Sequence, residues 1–174
     1  MKKLVTLTLL LCAIPLFARG DKADALYLQM TMTSGERSKD SNSATTEITI
    51  NGQTLVYKKT YGGRSRGRMP EEMKEFKLKA EDQRNLIRLI KDRNLLRTDS
   101  IEREQDVSGM YLYFELSVKS ILNKSTGSIY LKGSRKATAL KEEKLYKDAV
   151  ALIQAIYAII HRTDKAIVHE PLIR

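Results

Sequence analysis

From residue 25 to 33 the chain alternates, with Leu26, Leu28, Met30 and Met32 on one side and Tyr27, Gln29, Thr31 and Thr33 on the other. A period of two is that of a strand with one wet face. Residues 34–44 are polar and read as a loop. Asn51-Gly52, flanked by β-formers, predicts a two-residue hairpin turn. That turn would pair Ile50 with Gln53 and Ile48 with Leu55, with Thr46 and Tyr57 on the same face. Gly62-Gly63 ends the strand, and a basic loop runs through Arg64, Arg66 and Arg68 to Pro70.

Residues 74–80 alternate again, with Phe76, Leu78 and Ala80 inward. From Glu81 the period becomes helical, through Leu86, Ile87, Leu89 and Ile90 to about Asn94, with Glu81 and Asp82 in the first turn where the helix dipole favours acids. A charged loop is expected over 98–108. Residues 110–120 then form a strand with Met110, Leu112, Phe114, Leu116 and Val118 inward. A turn at 123–127 returns the chain along 128–132. The last element, 137–161, is a helix whose core stripe is Leu145, Ala149, Leu152, Ile156 and Ile159. Residues 163–174 are expected to form a C-terminal tail that packs weakly or not at all.

The element order is therefore β-ββ-β-α-ββ-α. It predicts an α+β domain over residues 21–162: an antiparallel sheet of five to six strands with two helices on one face.

The first twenty residues carry Lys2, Lys3 and Arg19 and no acid, around an apolar stretch from Leu4 to Phe17, with Ala18-Arg19-Gly20 after it. This is the layout of a secretory signal peptide over 1–20, and its apolar stretch is shorter than the ~20 residues that span a bilayer. Cys12 follows Leu11 inside that stretch, where an acylated cysteine would need a small residue before it. The expectation is an exported protein, periplasmic or extracellular, with no cysteine and no transmembrane segment in the mature chain.

The whole chain has 174 residues, 42% of them hydrophobic, with 31 Lys+Arg against 21 Asp+Glu and a single Cys. After residue 20 the balance is 28 bases to 21 acids, a net of +7. One folded domain fits this length and apolar content. A disulfide scaffold, a Cys-ligated metal site, an acidic solvating chain and a coiled-coil or collagen-like rod are all excluded.

Candidate chemistry is sparse. The two histidines, His161 and His169, lack any metal-site spacing, so no metal and no cofactor are expected. No nucleophile elbow and no phosphate-binding glycine motif occurs. Acids at Glu71, Glu72 and Glu75, and at Asp99, Glu102, Glu104 and Asp106, are interleaved with bases and read as wet surface. Carboxylate chemistry at Glu71, Glu72 or Glu115 is the only enzymatic alternative; the expectation is a non-enzyme.

Residues 58–68 exceed a bland reading. Lys58, Lys59, Arg64, Arg66 and Arg68 share eleven residues with Tyr61, three glycines and no acid. Arginine forks on such a loop bind phosphate, sulfate or carboxylate. Nucleic acid is the usual partner of such a stretch, but export points instead to an anionic glycan, a lipid head group or an acidic protein. Lys58, Lys59, Tyr61, Arg64, Arg66 and Arg68 are thus the expected ligand-binding residues. The outward row Tyr111, Tyr113 and Tyr130 is an expected protein-contact face, since tyrosines give large contact area at little entropic cost. The function read from these features is a small binding module. The alternatives are an inhibitor of a secreted hydrolase, plugging its cleft with the loop between Tyr61 and Pro70, or a structural subunit of an envelope assembly.

Overall fold

The computed structural model describes residues 25–36, 42–103, 112–135, 137–169 and 171–173. The expected leader with Cys12, and Tyr111 of the tyrosine row, lie outside the described residues. Strands β1 (Leu26–Glu36), β2 (Ser43–Asn51), β3 (Thr54–Gly62) and β4 (Glu72–Lys77) lead into helix α1 (Ala80–Asp92). Then follow β5 (Thr98–Arg103), β6 (Leu112–Leu122), β7 (Ser125–Ser134) and helix α2 (Lys144–Thr163). No helix among the described residues is long and apolar enough to cross a membrane.

The class is α+β, but the sheet is larger than expected and mixed. Among the described residues seven strands run in the order β4-β3-β2-β1-β6-β7-β5, and β5 lies parallel to β7. The added strand is the segment read from sequence as a charged loop. It carries one half-buried apolar residue, Ile101, too few to register as a period. Position in the fold makes it a strand: β4 ends at one sheet edge, and α1, about 20 Å long at ~1.5 Å per residue, carries the chain toward the other.

Leu28, Met30, Ile48, Ile50, Leu55, Phe114, Leu116 and Val118 form one core with Leu86 and Ile90 of α1 and Leu145, Leu152, Ile156 and Ile160 of α2. The opposite sheet face is open, with Gln29, Glu47, Ser117 and Lys119 exposed. In α2 the buried stripe is wider than its sequence period suggests. Ile153 and Ile160 are fully buried while Ile159 is only partly so. The expected start of this helix is also corrected. Residues Thr138–Glu142 form a 3-10 turn, and extended Glu143 separates it from α2.

The β2–β3 hairpin keeps its predicted faces and shifts its register. Asn51 pairs with Thr54 and Ile50 with Leu55, so Gly52-Gln53 occupies the turn. Gly52 has φ of +59° and Asn51 is not left-handed, which is the arrangement with glycine at the first central position. The shift is two residues along β3, so Leu55 and Tyr57 still face the core.

The tail expected to pack weakly is docked. Ile167, Leu172 and Ile173 are buried in the core. His161 donates from Nε2 to the Ile167 carbonyl, and Arg135 donates to the Pro171 carbonyl at 3.0 Å. Where α2 ends, Asp164 accepts from Lys74 Nζ at 2.5 Å. That bond holds the Asp164 carboxyl below its ordinary value and raises the Lys74 ammonium.

The other end of α2 is clamped by a buried acid. The Asp148 side chain is fully buried, with Lys144 Nζ at 2.5 Å, Arg93 Nη1 at 3.3 Å and Arg97 Nη2 at 3.6 Å. Arg97 also reaches Asp99 at 3.0 Å and the carbonyls of Arg93 and Asn94. One carboxylate thus ties the end of α1, the start of β5 and the first turns of α2 together.

Candidate functional site

Adjacent residues on a strand point to opposite faces, and β3 divides the basic stretch accordingly. Lys58 stands on the open face, where its Nζ lies 2.8 Å from Glu71 Oε1. The hydrogen bond and charge of Glu71 raise its pKa. Lys59 stands on the helix-covered face beyond the core, with its ammonium 5.4 Å from the centroid of the Tyr61 ring. A cation in that position is attracted by the ring quadrupole. The two lysines therefore do not converge on one ligand.

Past Gly62 the chain enters a 3-10 turn, Gly63–Ser65, which contains Arg64; the Arg64 side chain lies outside the described residues. The amide of Arg66 donates to Gly63 O, and those of Arg68 and Met69 donate to Ser65 O. Ser65 Oγ donates to Asn42 Oδ1 at 2.9 Å, fastening the turn to the start of β2. Gly63 and Gly67 have φ of +63° and +74°, values that side chains resist, so the glycines shape the turn. Arg66 and Arg68 are exposed on it, and among the described residues no acid pairs with either. Met69 beside them is 48% exposed.

Of the expected tyrosine row, Tyr113 and Tyr130 lie on the same outward sheet face, while Tyr111 is outside the described residues. Tyr130 pairs with Ser117 and Tyr113 with Ser134, so the two are four residues apart along β6, about 13 Å at the strand rise. Both are half-buried. Tyr130 donates to Glu115 Oε1 at 2.9 Å, which satisfies the hydroxyl within the sheet. The carboxylates named as an enzymatic alternative do not converge: Glu71, just before β4, holds Lys58, its neighbour Glu72 is exposed on β4, and Glu115 holds Tyr130 on β6, with three strands between β4 and β6.

Sequence reasoning missed a second basic locus. Between the ends of β1–β3, α2 and the docked tail lies a cavity of about 70 Å³. Thr46, Tyr57, Lys59, Arg135, Tyr157 and His169 line it. Both tyrosine hydroxyls hydrogen-bond with Thr46, and the His169 ring meets Tyr157 edge-on with centroids 4.7 Å apart. The members are scattered from residue 46 to 169, so no local motif announced them. Of these, the sequence marks Lys59 alone as an expected ligand-binding residue.

Burial raises the Tyr57 phenol to about 12, with the Glu72 charge adding to it, and raises Tyr157 further in the same direction. Tyr130 is likewise raised to about 12, by burial and then by its bond to Glu115. Folded values above the unfolded 10.0 give stability that is full below pH 10 and lost as pH rises toward about 12. Tyrosinate absorbance of the folded protein should therefore lag that of urea-unfolded protein above pH 10. Superimposable curves would contradict the burial of these phenols.

No protein-family model and no curated protein matches the chain.

Proposed function

We propose that the protein is an exported binding module that engages an anionic partner through the turn at residues 63–69, with Arg66 and Arg68 as its contact residues. The partner class is an anionic glycan, a lipid head group or an acidic protein. The observation that carries this reading is the contrast within the basic stretch. Lys58 is neutralised by Glu71, whereas Arg66 and Arg68 are presented without a described acid, on a turn fixed by its own hydrogen bonds. Preordering removes part of the entropic cost of binding, and guanidinium forks suit carboxylate, sulfate and phosphate oxygens.

A second reading, inhibition of a secreted hydrolase, draws on the same turn. A segment that keeps its shape through internal bonds and exposes Arg66, Arg68 and Met69 has the form of a plug for a cleft. Shortening the turn would abolish inhibition outright, whereas contact with a polyanion would weaken gradually with salt.

Retention on an immobilised sulfated polysaccharide tests the main reading. The Arg66→Ser/Arg68→Ser variant should elute at clearly lower salt than native protein. A charge-matched Lys119→Ser/Lys124→Ser variant should elute close to it, since those lysines lie on and just beyond β6. Equal shifts in the two variants would reduce the turn to its share of the net charge.

A further inference from the structure

We propose that the turn at residues 63–69 fits the specificity pocket of a secreted peptidase that cuts after arginine, with Arg66 as the inserted side chain. The inference rests on the reading of this turn as the contact site, and it names the kind of acidic protein that meets it. Peptidases of this class receive an arginine on a carboxylate at the floor of a narrow pocket. A guanidinium is always charged, and its planar fork matches a carboxylate with two parallel bonds.

Backbone shape sets Arg66 apart from the other bases of the stretch. It caps the 3-10 turn with φ of −62° and ψ of 126°, which is extended backbone, and its side chain is exposed. Gly67 follows with φ of +74° and folds the chain back, so that the amides of Arg68 and Met69 both donate to Ser65 O. A substrate lies extended through a peptidase cleft on both sides of the bond to be cut. Here that form would require breaking the bonds to Ser65 O and turning Gly67 over. The long arginine side chain can therefore enter the pocket while the Arg66–Gly67 bond is held back from the nucleophile.

The turn is also braced at its base. Ser65 Oγ donates to Asn42 Oδ1 at 2.9 Å, and Pro70 fixes the backbone after Met69. Met69, 48% exposed, adds an apolar contact for the rim of the cleft. Rigid loops of this kind bind with little loss of conformational freedom.

The test titrates the full chain against trypsin cleaving a small arginine anilide, and against chymotrypsin cleaving a phenylalanine anilide. The expected result is saturable competitive inhibition of trypsin, with KM raised and kcat unchanged, and none of chymotrypsin. Arg66→Leu should weaken inhibition about a hundredfold, the scale of a central contact residue. Arg66→Lys keeps the charge and should retain most of it, and Arg68→Ser should change it less than about threefold. Because these side chains are exposed, the variants keep the fold. Intact-mass spectra should show Arg66–Gly67 uncut at the end of the assay. Retention on the sulfated polysaccharide separates this inference from the reading beneath it. Turn-dependent retention without inhibition of trypsin overturns the peptidase assignment and leaves the anionic contact standing. Inhibition undiminished in Arg66→Leu, or rapid cutting at Arg66–Gly67, also overturns it.

Discussion

Asp148→Ala is expected to destabilise the protein by about 3 kcal/mol, the lower end of the ~3–5 kcal/mol seen when a buried ion pair is broken. The carboxylate is fully buried, and three cations converge on it from α1, the α1–β5 connection and α2 itself. Without it, Arg93, Arg97 and Lys144 repel one another across an emptied site. The loss stays near the lower end because the Arg93 and Lys144 side chains are 46% and 73% exposed and can turn to water. For the same reason Arg93→Ala and Lys144→Ala should each cost under about 1 kcal/mol. Urea unfolding reads this as a lower midpoint at unchanged slope. A loss below about 1 kcal/mol for Asp148→Ala would mean that the cluster behaves as an ordinary surface pair.

Gly127→Ala should cost a similar amount, about 3 kcal/mol, the top of the usual range for overpacking. Gly127 lies on β7 opposite Ser120 of β6, and the connection from α1 to β5 crosses directly over it. A methyl group there would collide with Leu95 O and stand 2.6 Å from Leu96 Cα. Backbone cannot swing aside as a side-chain end can. The same crossing is held by Ser120 Oγ, which donates to Leu95 O at 2.9 Å. Gly67→Ala is the control. Its new methyl group meets open space but sits at φ of +74°, so about 1 kcal/mol of backbone strain is expected. Equal losses at the two glycines would contradict the close approach.

Alternation made β1 and β6 legible in the sequence, because each sets a full apolar face against a wet one. The same logic failed at β5, an edge strand with Ile101 as its one half-buried apolar residue, placed by the span of α1. Asn51-Gly52 announced a hairpin, yet glycine took the first central position and the register moved by two residues, a step that leaves the faces unchanged. Ile167, Leu172 and Ile173 gave the tail apolar content without a period, so its docking depends on where the fold leaves room.

The candidate site followed the same division. The basic stretch was visible, but reading Lys58 and Lys59 as one cluster ignored the strand geometry that turns them apart. Asp148 had a signal that passed unread: it lies three residues after Leu145 and four before Leu152, on the buried stripe of α2. Thr46, Tyr57, Arg135 and Tyr157 come together only through tertiary structure, and nothing local marks them.

Capture from native fractions tests most directly whether the protein meets its partner at the turn formed by residues 63–69. Native protein, Arg66→Ser/Arg68→Ser and the charge-matched Lys119→Ser/Lys124→Ser would each be immobilised and exposed to cell-envelope and secreted fractions, with retained material identified by mass spectrometry. An anionic partner held by native protein and by the charge-matched variant, and lost by the turn variant, is the predicted result. A partner retained equally by all three would contradict it and make the turn a solvated connection between β3 and β4.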